Sequence, residues 1–154
     1  MEHSDHIRSR RDVLLGAAAI GGAMVVAPLA ALATAEQVEE QAKKTFPGKT
    51  AQAGKIKLDL PSIAENGLVV PLNFEIESPM TEKDFVKVVH FFAEGNPSPL
   101  IAAFHYTPQI PKAAGQIRIR MAATQNIVAY AEMSNGDVYT AKKEVKVTIG
   151  GCGG

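Results

Sequence analysis

From Lys55 to Ile149, apolar residues keep returning at every second position, in short runs cut by proline, glycine or Asn-Gly. Successive side chains of a strand point to opposite faces of a sheet, so this period argues for strands with one buried side. Ile56, Leu58 and Leu60 alternate with Lys55, Lys57 and Asp59 until Pro61 closes the run. Asn66-Gly67 marks a turn, and residues 68–77 follow with Leu72, Phe74 and Ile76 on one side. Pro71 removes a ladder donor from that run, which points to an edge strand or a bulge. Residues 78–84 read as a loop or a single helical turn, with Thr81 and Asp84 as a capping pair. Residues 86–93 are dense in β-branched and aromatic side chains and read as a central strand.

The Pro-rich stretch Asn96-Pro97-Ser98-Pro99 turns the chain into a strand over 100–106, and residues 108–115 read as a loop. Residues 116–121 and 127–133 alternate again. Asn135-Gly136 is a hairpin signal leading through 138–140 to a last run over 144–149. Seven such strands at short spacing predict a mainly β domain, an immunoglobulin-like β-sandwich.

Before the strands lie two other signals. Arg10-Arg11 precedes an apolar run rich in alanine and glycine that ends in Ala33-Thr34-Ala35, a small-residue A-x-A site. The pattern is that of a twin-arginine export signal, so residues 1–35 are expected to be removed and the protein to work in the periplasm. Export in the folded state, with no cofactor site in view, points to a passenger subunit that lacks its own signal. Cleavage after Ala35 leaves residues 36–154. Residues 36–44 then carry acids early and lysines late, the order a helix macrodipole prefers, and Pro47-Gly48 stops that short helix. Residues 36–149 are thus expected to form one carrier domain, a helix followed by the sandwich.

Charge narrows the partners. Lys plus Arg equals Asp plus Glu, 16 of each, so no net field attracts nucleic acid or an anionic membrane. With no tryptophan there is little material for a platform that stacks bases or sugars.

The chain ends Ile149-Gly150-Gly151-Cys152-Gly153-Gly154, and Cys152 is its one cysteine. No internal disulfide is possible, and a leftover thiol in an oxidising compartment implies intermolecular pairing or a reactive group. Glycines have no side chain to pack. Gly150, Gly151, Gly153 and Gly154 are therefore expected to make residues 150–154 a slim swinging arm, with the sulfur as its working atom. A fixed strand beneath a free tip would let one thiol visit several active sites at high local concentration. No basic side chain adjoins Cys152 in sequence, so activation of the thiol would come from a client enzyme's pocket. A different use of the same residue is an intermolecular disulfide in an immunoglobulin-like interaction module. A ubiquitin-like carrier charging its terminal carboxylate would need ATP, which an exported protein does not meet.

Other residues invite a site and are read as structural. His90 sits between Val89 and Phe91 and His105 beside Tyr106, with no cysteine or tight acidic spacing around them, so no zinc signature exists. Met80, Met121 and Met133 are too scattered for a copper cluster. Arg118 and Arg120 share a strand face and read as solvated. Ser78 and Thr81 have no base nearby, and no glycine-rich loop opens a helix. Neither a metal nor a cofactor is expected.

The export signal, the small β domain and the terminal Val145–Gly154 stretch together resemble the SoxY family of the periplasmic Sox thiosulfate-oxidising system. Residues 60–67, Ser78-Pro79-Met80-Thr81 and residues 131–136 resemble the same family. The resemblance implies a covalent sulfur carrier and not an enzyme, with Cys152 as the attachment point. It implies a heterodimer with a SoxZ-like subunit, loading by a SoxAX-type c-type haem enzyme and hydrolysis by a SoxB-type dimanganese enzyme. Where present, a SoxCD-type sulfane dehydrogenase would oxidise the sulfur that remains.

Overall fold

The computed structural model describes residues 32–151. Most of the expected export signal, and Cys152, Gly153 and Gly154 of the expected arm, lie outside the described residues. Among those described, one helix precedes nine strands. These are α1 (Ala35–Thr45), β1 (Ala51–Ala53), β2 (Ile56–Asp59), β3 (Ile63–Asn66), β4 (Val70–Ile76), β5 (Val86–Ala93), β6 (Leu100–His105), β7 (Ala113–Ile119), β8 (Gln125–Met133) and β9 (Val138–Ile149).

The strands make two sheets. The larger runs β1-β9-β8-β5-β6, with β3 also pairing β9, and the smaller runs β2-β4-β7. Their facing sides close over one core, in which Leu72, Phe74 and Ile76 of β4 meet Val89 and Phe91 of β5, and Ile127, Ala129 and Ala131 of β8. Phe74 and Phe91 pack with ring centroids 4.6 Å apart. This is the sandwich the alternation predicts.

β5 is apolar on both faces because α1 covers the outer one. Val38 of the helix packs on Phe92 and Val128, and Phe46 beyond its end packs on Val88 and Val138. A strand covered on both sides reads as a continuous apolar run, as residues 86–93 do.

Several expectations need correction. Two strands were not anticipated, β1 and β3, and both pair in parallel with the long β9. β1 is Ala-Gln-Ala, which has no strand propensity of its own, and β3 exposes Ile63 while burying Ala64. The loop expected over 108–115 ends early, since β7 begins at Ala113. Gly115 in β7 leaves room for the Phe74 ring, which would lie 2.8 Å from an added Cβ. β4 is central in its sheet and not an edge. Pro71 is tolerated there because β2 reaches only as far as Asn73, so the proline's missing donor faces no neighbour on that side.

The last residues of the expected signal pack against the domain. Ala33 is buried, and its N–H donates to the Asn96 carbonyl at 2.8 Å. Thr34 caps α1, its side chain accepting from the Gln37 N–H while the Gln37 side chain accepts from the Thr34 N–H. Cleavage after Ala35 would remove both residues from the packed domain. At the other end, the packed chain runs past residue 149 to Gly151, which is buried.

Candidate functional site

The terminal segment leaves the sandwich at the end of β9. Val145 points into the core, Val147 is half-buried, and Ile149 is 67% exposed, so the strand emerges from the core as it ends. β3 holds it from one side, with Lys146 N–H donating to the Ser62 carbonyl at 3.0 Å. Thr124 holds it from the other, its hydroxyl oxygen accepting from the Val147 N–H at 2.9 Å.

Beyond Ile149, three stretches of backbone interlock. The Gly67 N–H donates to the Ile149 carbonyl at 2.8 Å, the Met121 N–H to the Gly67 carbonyl at 2.8 Å, and the Gly151 N–H to the Met121 carbonyl at 2.9 Å. The turn that carries Gly67 is fixed by its neighbour, because the Asn66 side-chain oxygen accepts from the Leu68 N–H at 2.8 Å.

Such close contact is possible only without side chains. A Cβ on Gly67 would run into the Met121 carbonyl oxygen and sit 2.8 Å from the Gly151 nitrogen. One on Gly151 would lie 2.8 Å from the carbonyl carbon and oxygen of Gly67, and one on Gly150 would run into the Ala122 carbonyl oxygen. None of the three has the positive φ that selects glycine elsewhere in this chain, at Gly48, Gly54 and Gly136. They are glycines for space.

This changes the reading of the arm. Gly150 and Gly151 were expected to loosen the terminus, and the structure instead docks both against the domain. Their lack of a side chain serves close packing at these two positions. Cys152, Gly153 and Gly154 lie outside the described residues, so the packed chain reaches to one residue before the thiol. Met121 entered the sequence reading only as a scattered methionine. Asn66-Gly67 was read as a turn, and nothing local to it shows that two other segments cross there.

The residues that build this root carry uncharged side chains, with Glu65 and Arg120 flanking them in the chain. Asn66, Gly67, Leu68, Val69, Met121, Ala122, Ile149, Gly150 and Gly151 include no titratable group. Leu68 and Val69 in the turn are 44% and 59% exposed.

The other residues weighed from sequence fall elsewhere. Met80, Met121 and Met133 are buried in the main core. Arg118 and Arg120 are exposed. Ser78 and Thr81 hold their own loop, accepting from the N–H groups of Met80 at 3.2 Å and Asp84 at 3.1 Å. His90 lies between α1 and the larger sheet, its ring 5.5 Å from that of Phe46, while His105 is exposed at the end of β6. Among the described residues, no three His, Cys, Asp or Glu side chains come together as metal ligands would. No helix among them is long and apolar enough to cross a membrane.

Residues 42–152 match the family model for the sulfur oxidation protein SoxY. Among solved structures, the sulfur carrier protein SoxY from Chlorobium limicola f thiosulfatophilum is 32% identical, with a TM-score of 0.64 over 75% of this chain and 100% of that one. The superoxide reductase (neelaredoxin) from Ignicoccus hospitalis, 13% identical, has a TM-score of 0.56 over 75% of this chain and 94% of its own. A putative superoxide reductase from Thermotoga maritima, 10% identical, reaches 0.54 over 68% and 96%. At such identities the two reductases share the fold alone. No curated protein matches the chain.

Proposed function

The chain belongs to the SoxY family of sulfur oxidation proteins, and from that premise we propose that it is a covalent sulfur carrier of the Sox system whose working group is the Cys152 thiol. The observation that carries this reading is the way the domain ends. A rigid sandwich delivers its backbone, clamped through Gly151, to within one residue of the chain's one cysteine. The relative from Chlorobium limicola, itself a sulfur carrier, spans its whole length on this fold.

In the cycle that family membership suggests, the Cys152 thiol is joined to the sulfane sulfur of thiosulfate. An S–S bond forms, the thiol loses its proton, and two electrons pass to a c-type haem enzyme. The adduct is a cysteine S-thiosulfonate. Hydrolysis by a dimanganese enzyme then breaks the bond between the terminal sulfur and its sulfane neighbour. Water supplies the oxygen that leaves in sulfate, and a persulfide stays on Cys152. No basic side chain adjoins Cys152 in the sequence, so proton removal and charge stabilisation fall to the enzymes that receive the thiol. The chain itself supplies a nucleophile and a fixed base.

The same reading places the protein in the periplasm, exported by residues 1–35 or a shorter part of them, and pairs it with a SoxZ-like subunit. The test is Cys152→Ser in a reconstituted thiosulfate-oxidising system. The variant should fold and bind its partner subunit as the parent does, and support no thiosulfate-dependent electron transfer. Turnover by the serine variant would overturn the proposal.

A further inference from the structure

We propose that Gly67 is a positioning residue for Cys152, acting through a backbone clasp that anchors the terminal segment one residue short of the thiol. The inference rests on the carrier reading and adds a residue that lies 85 positions from the cysteine in sequence.

The clasp is a relay of three hydrogen bonds, Gly67 to Ile149, Met121 to Gly67 and Gly151 to Met121, at 2.8, 2.8 and 2.9 Å. It ties the β3–β4 turn, the segment after β7 and the segment after β9 into one unit. Each segment has a second hold of its own. The turn has the Asn66 side chain on the Leu68 N–H, Met121 is anchored in the core, and β9 has Thr124 on Val147. Each of the three segments is thus held at two points.

The consequence for the thiol is geometric. Consecutive Cα atoms are about 3.8 Å apart, so with Gly151 held, the Cys152 Cα is confined to a short shell around it. If the backbone came free from Ile149 onward, two further residues would add roughly 7 Å to that radius, at about 3.3–3.6 Å each. Holding Gly151 thus trades reach for a defined starting point. An enzyme that receives Cys152 meets a backbone anchored at Gly151, close to the turn that exposes Leu68 and Val69, and fewer residues lose freedom on entry to its pocket.

Gly67 is the keystone because it touches both other segments. Its amide and carbonyl each take one bond of the relay, and any side chain there meets Met121 and the Gly151 nitrogen. Gly151 is the complementary site, since an added Cβ there meets Gly67 and the Leu68 nitrogen, and only the terminal segment need move to relieve it.

The experiment uses the full chain as isolated with its partner subunit and compares Gly67→Ala and Gly151→Ala with the parent. A nitroxide attached to Cys152 reports its mobility by electron paramagnetic resonance. Separate unlabelled samples report enzymatic loading with thiosulfate and alkylation by iodoacetamide. The parent should show a motionally restricted component that is lost in both variants. Loading should fall at least about tenfold in kcat/KM, since a reactant misplaced by about 1 Å can cost about a hundredfold. Iodoacetamide should still react within about twofold of the parent rate, because a small reagent in free solution imposes no approach geometry. Gly151→Ala keeps the test decisive should Gly67→Ala fold poorly. An unchanged nitroxide spectrum in the variants, or a freed label on a chain that loads at the parent rate, overturns the clasp. Neither result touches the carrier reading, which stands or falls on the serine variant of Cys152.

Discussion

His90 shows what a single side chain contributes beyond its position in a strand. Its ring meets Phe46 edge-on and stacks 6.1 Å from Phe92, and its Nδ1 is buried with no hydrogen-bond partner among the described residues. Burial pushes its pKa below the ordinary histidine value. The neighbouring His105 adds to that shift, and Glu132 opposes it. The unfolded chain therefore takes up a proton near pH 6.5 that the folded chain refuses. Stability is full above about pH 6.5 and falls as pH drops from there towards the lower folded pKa. Glu132 acts in a separate window. Burial alone would raise its pKa, but hydrogen bonds from Lys87 and Lys49 at 2.8 and 2.9 Å outweigh burial and lower it. Its contribution persists above the unfolded carboxylate value and is lost only as pH falls through the folded one. Thermal melts between pH 7.5 and pH 5 should show the parent losing stability and His90→Leu losing much less. Parallel losses in both proteins would show that His90 does not carry the dependence. The sequence reading of His90 as a packed residue agrees with its place here, although the chain alone did not show which layer it faces, since β5 is covered on both sides.

At the scale of elements, legibility followed how local the cause was. β5 is found at the bounds expected for it because its side chains alone favour a doubly covered strand. α1 was legible too, from early acids and late lysines, which in the structure form the exposed pairs Glu39–Lys43 and Glu40–Lys44. β1 and β3 were not legible. Each exists because β9 offers a free backbone edge, and neither Ala51–Ala53 nor Ile63–Asn66 carries an alternation of its own. The cap ahead of α1 was not legible either. The A-x-A triplet drew attention to Ala35, whereas Thr34 and Gln37 form a reciprocal cap and Ala33 is buried beside Asn96. Loss of such a cap costs on the order of 1 kcal/mol. A chain starting at Leu32 should therefore exceed one starting at Glu36 by about 1–2 kcal/mol in urea unfolding, the upper end reflecting the lost Ala33 contact as well. Equal midpoints would mean that the cap and Ala33 contribute nothing to the domain.

For the molecule as a whole, the fold class and the family were the parts most open to reading. The alternation sufficed for a sandwich, and a lone cysteine two residues from the end of the chain stood out without any structure. The clasp was closed to such reading. It depends on Gly67, Met121 and Gly151 meeting in space, and a glycine needed for room looks the same in sequence as one that loosens a chain. The account that results has a packed sandwich, a root clasped through Gly67, Met121 and Gly151, and a thiol one residue beyond it, with the chemistry supplied by the enzymes that receive it. Its central claim is that Cys152 holds thiosulfate-derived sulfur covalently. The most direct measurement is mass spectrometry of the terminal peptide from protein isolated from cells growing on thiosulfate. The account predicts added sulfane sulfur or thiosulfonate on Cys152, removed by a thiol reductant. Additions on the Gly154 carboxylate, or a Cys152 found only in a disulfide with a second polypeptide, would contradict it.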